Sequence, residues 1–173
     1  MTAHIIGCGE TGGFWDGQGE SIGCNDSWKF GKPTGSLIVV NSFTRELERQ
    51  KFIADCRPVN GFYSNLNRWA HHPDYKPLRL KRYTKGGINI KEVYHTSTST
   101  FIAISLAASQ GFTDIVLYGV DFTNHRVIKN YLLADEVEKY RRYCKELNKL
   151  GVNVYLYQGY GALKFVLPEW PNQ

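Results

Sequence analysis

Short apolar runs ending in Gly, Asn, Asp or Tyr recur along the chain. They are Ala3-His4-Ile5-Ile6-Gly7, Ser21-Ile22-Gly23-Cys24-Asn25-Asp26, Ser36-Leu37-Ile38-Val39-Val40-Asn41, Asp114-Ile115-Val116-Leu117-Tyr118-Gly119-Val120-Asp121 and Val152-Asn153-Val154-Tyr155-Leu156-Tyr157. Their apolar positions are continuous rather than alternating, the pattern of strands covered on both faces in a parallel sheet. Between them, helical spacing predicts helices over roughly 43–55, 99–110 and 132–150. The last sets Val137, Tyr140, Tyr143, Cys144 and Leu147 on one face, and Gly111 and Gly151 stand where a left-handed residue would end the second and third. Strands alternating with helices predict an α/β fold of the Rossmann-like kind, three layers around an open, mainly parallel sheet.

The middle of the chain, about 57–90, breaks this rhythm. It carries Pro58, Pro73, Pro77, Gly61, Gly86 and Gly87 among aromatics and bases, and reads as an irregular basic insertion or lid. No internal repeat interrupts the chain, and 173 residues suit one domain spanning 1–173.

Charge adds a possible partner class to the pattern. The net charge is +5, and Lys76, Arg79, Lys81, Arg82 and Lys85 cluster with Tyr75 and Tyr83 between them, which suits an anionic partner, nucleic acid included. Cys8, Cys24, Cys56 and Cys144 form no Cys-x-x-Cys and read as reduced, mostly buried thiols. The first residues, Met1-Thr2-Ala3-His4, offer neither a basic leader nor a long apolar run, which predicts a cytoplasmic protein without a membrane partner. A long sheet edge or the tail Leu167-Pro168-Glu169-Trp170-Pro171 could pair protomers, so a homo-oligomer is compatible with the sequence.

The candidate chemistry begins at Tyr94-His95-Thr96-Ser97-Thr98-Ser99-Thr100, a row of hydroxyls joining a strand-like run to an apolar helix. Such a row can cap the free N–H groups of the helix and present donors to a phosphate, which the helix dipole also favours. Capping alone needs only one of these residues. Gly7-Cys8-Gly9-Glu10-Thr11-Gly12 matches a G-x-G-x-x-G spacing after a strand, with Asp26 ending the next strand where an acid could meet a ribose. The following Gly13-Phe14-Trp15-Asp16-Gly17-Gln18-Gly19 is too rich in glycine to open a helix, so the expectation is a flexible loop whose amides approach a phosphate. No Walker lysine, G-x-S-x-G or H-E-x-x-H is present, and no Asp-x-Asp pair offers a metal clamp for a nucleotide diphosphate. Asp121 ends a strand at the edge where ligands bind in such folds. His125, four residues on, could serve as a general base, and His95 could hold a phosphate. If the strands before Asn25 and before Asp121 both flank the first strand, Gly7 to Thr11, Asn25, Asp26, Thr96 to Ser99 and Asp121 converge on one crevice.

Three blocks carry a resemblance: Ser21-Ile22-Gly23-Cys24-Asn25-Asp26; Thr96-Ser97-Thr98 leading a helix with Ala103, Ala107 and Ala108; and Gly111-Phe112-Thr113-Asp114-Ile115-Val116-Leu117-Tyr118-Gly119-Val120-Asp121-Phe122. In order, they resemble the small bacterial sialyltransferases that use CMP-sialic acid. In the same places they are similar to a broader set that includes the archaeal 6-hydroxymethylpterin pyrophosphokinase-like group. The likeness runs from about Ile5 to Tyr157, and the last block is the specific one. The resemblance implies that Gly7, Gly9 and Thr11, then Asn25, then Thr96, Ser97 and Ser99 bind a nucleotide. It also implies chemistry that requires no metal or other cofactor, with a nucleotide sugar, CMP-linked in that family, as donor substrate. The family's first loop typically reads Gly-Asn-Gly-Pro-Ser, where this chain has Gly7-Cys8-Gly9-Glu10-Thr11. Its catalytic histidine lies in a longer segment after the Gly-x-Asp-Phe turn, where this chain offers His125 almost at once.

The expectation is therefore a glycosyltransferase-like enzyme, with Asn25, Asp26, Thr96, Ser97 and Ser99 holding the nucleotide and Asp121 or His125 taking the acceptor proton. Two alternatives stand beside it: a phosphoryl or pyrophosphoryl transferase needing Mg²⁺, and a non-catalytic module for a nucleotide or nucleic acid.

Overall fold

The computed structural model describes residues 1–24, 27, 34–40, 60–120, 122, 130–158 and 161–171. The strands are β1 (Thr2–Ile6), β2 (Glu20–Cys24), β3 (Ser36–Ile38), β4 (Phe62–Ser64), β5 (Tyr75–Pro77), β6 (Leu80–Arg82), β7 (Val93–His95), β8 (Asp114–Tyr118) and β9 (Asn153–Leu156). The two described α-helices are α1 (Ser99–Ser109) and α2 (Asn130–Lys149). Seven strands form one sheet in the order β5-β4-β3-β2-β1-β8-β9, and β6 and β7 form a separate pair. Every pairing in both sheets is parallel.

The five apolar runs are thus β1, β2, β3, β8 and β9, and the helices expected over 99–110 and 132–150 are α1 and α2. The helix expected over 43–55 lies outside the described residues. Residues 60–90 are more regular than their composition suggests. β4 and β5 extend the sheet beyond β3, and β6 pairs with β7. Three-residue strands carry too little periodicity to read, and Pro77 ends the outermost strand, where a missing N–H is tolerated.

Alternation along each strand divides the core. Ala3 and Ile5, Ile22 and Cys24, Ile38, Ile115 and Leu117, and Val154 and Leu156 share one face with the buried sides of α1 and α2. The opposite face holds Ile6, Val116 and Tyr118 against Trp15, and Leu37, Val39 and Phe62 against Trp69. α1 is buried nearly all round, Phe101 through Ala108 included, because the sheet lies on one side and β7, Tyr143 and Tyr83 on others. That surrounding explains a helix with no polar face. Ser105, fully buried at its middle, accepts hydrogen bonds from the Tyr94 N–H at 2.7 Å and the Tyr143 hydroxyl at 2.8 Å. Strand β7 and both helices are locked together through that one hydroxyl.

Candidate functional site

β2 and β8 both pair with β1, with Ile5 opposite Ile22 on one side and Leu117 on the other. The strand order reverses at β1, so the carboxyl ends of β1 and β8 form the kind of crevice in which open α/β sheets bind ligands.

The glycine loop after β1 is held tightly. The Gly7 N–H donates to the Tyr118 carbonyl at 2.7 Å, the Gly9 N–H to the Gly119 carbonyl at 2.8 Å, and the Gly12 N–H to the Gly9 carbonyl at 3.0 Å. The Gly119 N–H donates in turn to the Thr11 hydroxyl at 2.8 Å. A Cβ on Gly7 would stand 2.3 Å from the Gly119 carbonyl oxygen, and one on Gly119 would stand 2.8 Å from the Gly9 oxygen. These glycines let the β1 and β8 loops cross backbone to backbone. The amides of Gly7 and Gly9 are already bonded, and Thr11 is buried in the same clasp, so the loop is a braced wall rather than a flexible cradle. A 3-10 turn, Glu10–Phe14, follows in place of the α-helix of a dinucleotide fold.

The hydroxyl row divides by function. Thr98, the residue preceding α1, is extended at φ −123° and ψ 139° and makes no side-chain cap. Its hydroxyl instead meets the Tyr140 hydroxyl at 2.8 Å, and Thr100 meets the same oxygen at 2.6 Å. Ser99 is buried and bonded. That leaves Ser97, which is exposed, and Thr96, whose Oγ1 is buried with no hydrogen-bond partner. Two free hydroxyls therefore stand at the uncapped start of an eleven-residue helix. Its first-turn N–H groups and dipole favour an anion there. His95 lies just before them, half-buried, with Nδ1 3.4 Å from the Thr96 carbonyl.

Two contributors to this edge have no sequence motif. Tyr140 is fully buried, with its hydroxyl group held neutral far above its ordinary range by burial. Its ring packs against Phe101 and Phe122. Phe122 takes φ 49°, a left-handed backbone that a non-glycine residue adopts only at a cost, immediately after the position of Asp121. Glu136, one turn before Tyr140 on α2, is 1% exposed. Its Oε1 accepts from Lys139 Nζ at 2.8 Å, while Oε2 is buried with no partner. Tyr140 is level with Thr98 and Thr100, and Tyr143 with Ser105, so α1 and α2 run side by side in the same direction. Glu136 therefore lies beyond the start of α1, about level with Thr96. Nothing in the local spacing signals the place of Tyr140, because its hydrogen bonds join residues about forty positions apart.

On β2, the Cys8 thiol donates to the Cys24 carbonyl at 3.4 Å, and burial holds the Cys24 thiol well above its usual range. Cys8, Cys24 and Cys144 form no disulfide with one another, with Cys8 exposed and the other two buried. Ser27, just past β2, is 1% exposed and its Oγ also lacks a partner. Asn25, Asp26, Asp121, His125 and Cys56 lie outside the described residues. Among the described residues, no group of three or more His, Cys, Asp or Glu side chains is placed to hold a metal ion, and no helix is long and apolar enough to cross a membrane.

The class this architecture defines is a parallel Rossmann-like α/β domain whose strand order reverses above a helix start lined with hydroxyls. Solved structures share this fold. The sialyltransferase CstII from Campylobacter jejuni, in complex with the substrate analogue CMP-3FNeuAc, superposes with a TM-score of 0.61 at 14% identity, over 99% of this chain and 86% of that one. Its complex with cytidine-5'-monophosphate gives 0.63 at 12% identity, over 98% and 85%. Its complex with a trisaccharide acceptor and CMP gives 0.62 at 14% identity, over 99% and 87%. The fold that the sequence resemblance implied is the fold the chain has. At the level of sequence, no family model matches the chain, and neither does any curated protein.

Proposed function

We propose that the chain binds a nucleotide sugar across the edge between β1 and β8 and transfers the sugar to an acceptor without a metal ion. The observation that carries this reading is the pair of unbonded hydroxyls, Thr96 and Ser97, at the uncapped start of α1. The donor phosphate accepts from both hydroxyls and from first-turn N–H groups. Asn25 and Asp26, directly after β2, meet the nucleoside. The orphaned Glu136 oxygen accepts a hydrogen bond from a ligand hydroxyl. The acceptor oxygen bonds to the anomeric carbon as the bond to the phosphate breaks, and the acceptor proton passes to Asp121 or His125. A nucleoside monophosphate leaving group carries modest charge, which fixed hydroxyl and amide donors can stabilise without a divalent ion. The likeness in fold to CstII, whose structures hold CMP and a CMP-sugar analogue, supports the choice of a CMP-linked donor.

Donor consumption, followed as release of nucleoside monophosphate from a panel of nucleotide sugars in EDTA, tests this directly. One donor should be consumed, faster with a suitable acceptor. Asp121→Asn or His125→Gln should lower kcat while donor binding persists. Consumption that demands Mg²⁺ would move the assignment to a phosphoryl or pyrophosphoryl transferase. Donor binding without turnover under any condition would leave a binding module.

A further inference from the structure

The net positive charge of this protein is concentrated in one segment. Residues 76–91 hold Lys76, Arg79, Lys81, Arg82, Lys85 and Lys91 and no acid, whereas the whole chain carries only +5. The remainder is slightly acidic. This segment folds as β5, β6 and the approach to β7, and it walls a cavity of about 490 Å³ away from the start of α1. Arg79, Lys81 and Lys91 line it beside the Tyr63 ring, together with one acid, Glu92, above a floor that includes Leu78, Val93 and Leu106. Lys76 Nζ sits 5.3 Å from the Tyr63 ring centre, and Gln110 Nε2 fixes the Tyr63 hydroxyl at 2.9 Å. Among the described residues, only Lys81 of the six cations has an ion-pair partner, Glu92 at 2.8 Å.

We infer that this cleft binds single-stranded nucleic acid, seating a base on the apolar floor beside Tyr63 while Arg79, Lys91 and their neighbours hold the phosphates. Unpaired cations around a concave, ring-bearing apolar surface suit a chain that alternates anionic links with flat apolar faces. An acidic glycan matches less well, because its hydroxyls would lie unbonded against leucine and valine. A duplex keeps its bases stacked inside and has no face to offer such a floor. The site is separate from the hydroxyl row and stands whether or not the donor reading does.

Fluorescence anisotropy with a labelled single strand of about 12 nucleotides, at about 50 mM salt and upward, tests it. Binding should fall with salt, and Arg79→Ala with Lys91→Ala should weaken it on the order of tenfold and flatten the salt slope by about 1.4. Removing equal charge by Lys145→Ala with Lys149→Ala on α2 should leave it unchanged. Tyr63→Ala should cost about fivefold to a hundredfold, and Tyr63→Phe, which keeps the ring, should restore binding. The inference is overturned if the oligonucleotide fails to bind at the lowest salt, or if both double variants weaken it equally. It is also overturned if polyphosphate or a duplex binds as tightly and Tyr63→Ala has no effect, since that describes a charged surface indifferent to bases.

Discussion

At the scale of single residues, the crossing of the β1 and β8 loops rests on missing side chains. Gly7→Ala puts a methyl 2.3 Å from a carbonyl oxygen of backbone, which cannot swing aside. It should cost about 1–3 kcal/mol. Gly111→Ala makes the useful contrast: φ is +89° but nothing lies within 4 Å, so only the left-handed penalty of about 1 kcal/mol applies. Urea midpoints of the two variants compare these costs, and a Gly7 variant no weaker than the Gly111 variant would contradict the close crossing. Ser105→Ala removes the shared acceptor of the Tyr94 N–H and the Tyr143 hydroxyl, orphaning both inside the core. A loss of about 1–3 kcal/mol per group is expected. Tyr143→Phe removes one donor but leaves Ser105 accepting from the Tyr94 N–H and donating to the Glu92 carbonyl, so it should cost less than Ser105→Ala.

At the scale of elements, α1 is held by burial and not by an amphipathic stripe. Ile104, 0% exposed, should cost about 2–5 kcal/mol when cut to Ala, read from the urea midpoint. The continuous apolar runs made β1, β2, β3, β8 and β9 legible, and glycine stops bounded α1 and α2 to within a residue or two. β4 and β5 carry no such signal, because three residues give no period, and their places follow from pairing, β4 with β3 and β5 with β4. The site was legible in part. The hydroxyl row was visible as a string of residues, but which hydroxyls remain free depends on Tyr140. That side chain reaches Thr98 and Thr100 from α2, about forty residues along the chain. Thr11 and Ser99 read as ligand groups in the sequence; in the folded chain the Thr11 hydroxyl accepts from the Gly119 N–H and Ser99 is buried, features that no local spacing signals.

At the scale of the whole molecule, buried tyrosines and a buried thiol set the alkaline limit of stability. Burial pushes Tyr118 and Cys144 each up to about 12, against ordinary values of 10.0 and 9.0, and raises Tyr83, Tyr140 and Tyr143 as well. The unfolded chain releases these protons near their ordinary values while the folded protein keeps them. This contribution is therefore complete below about pH 9 and is lost as pH climbs toward and past 12. The urea midpoint should fall steadily from about pH 9.5 upward, and a flat profile to about pH 11 would contradict the burial of these groups.

The nucleotide site proposed at the carboxyl edge beside the start of α1 rests on two hydroxyls, Thr96 and Ser97. Calorimetric titration of CMP and a CMP-linked sugar into the protein in EDTA addresses it most directly. Saturable binding is expected, with Ser97→Ala and Thr96→Val each weakening it by about tenfold to a hundredfold, the worth of one hydrogen bond to a charged group. Lys145→Ala, far from that edge, should leave it unchanged. Binding indifferent to both hydroxyl substitutions, or none with any nucleotide in either EDTA or Mg²⁺, would rule out a nucleotide site at this edge.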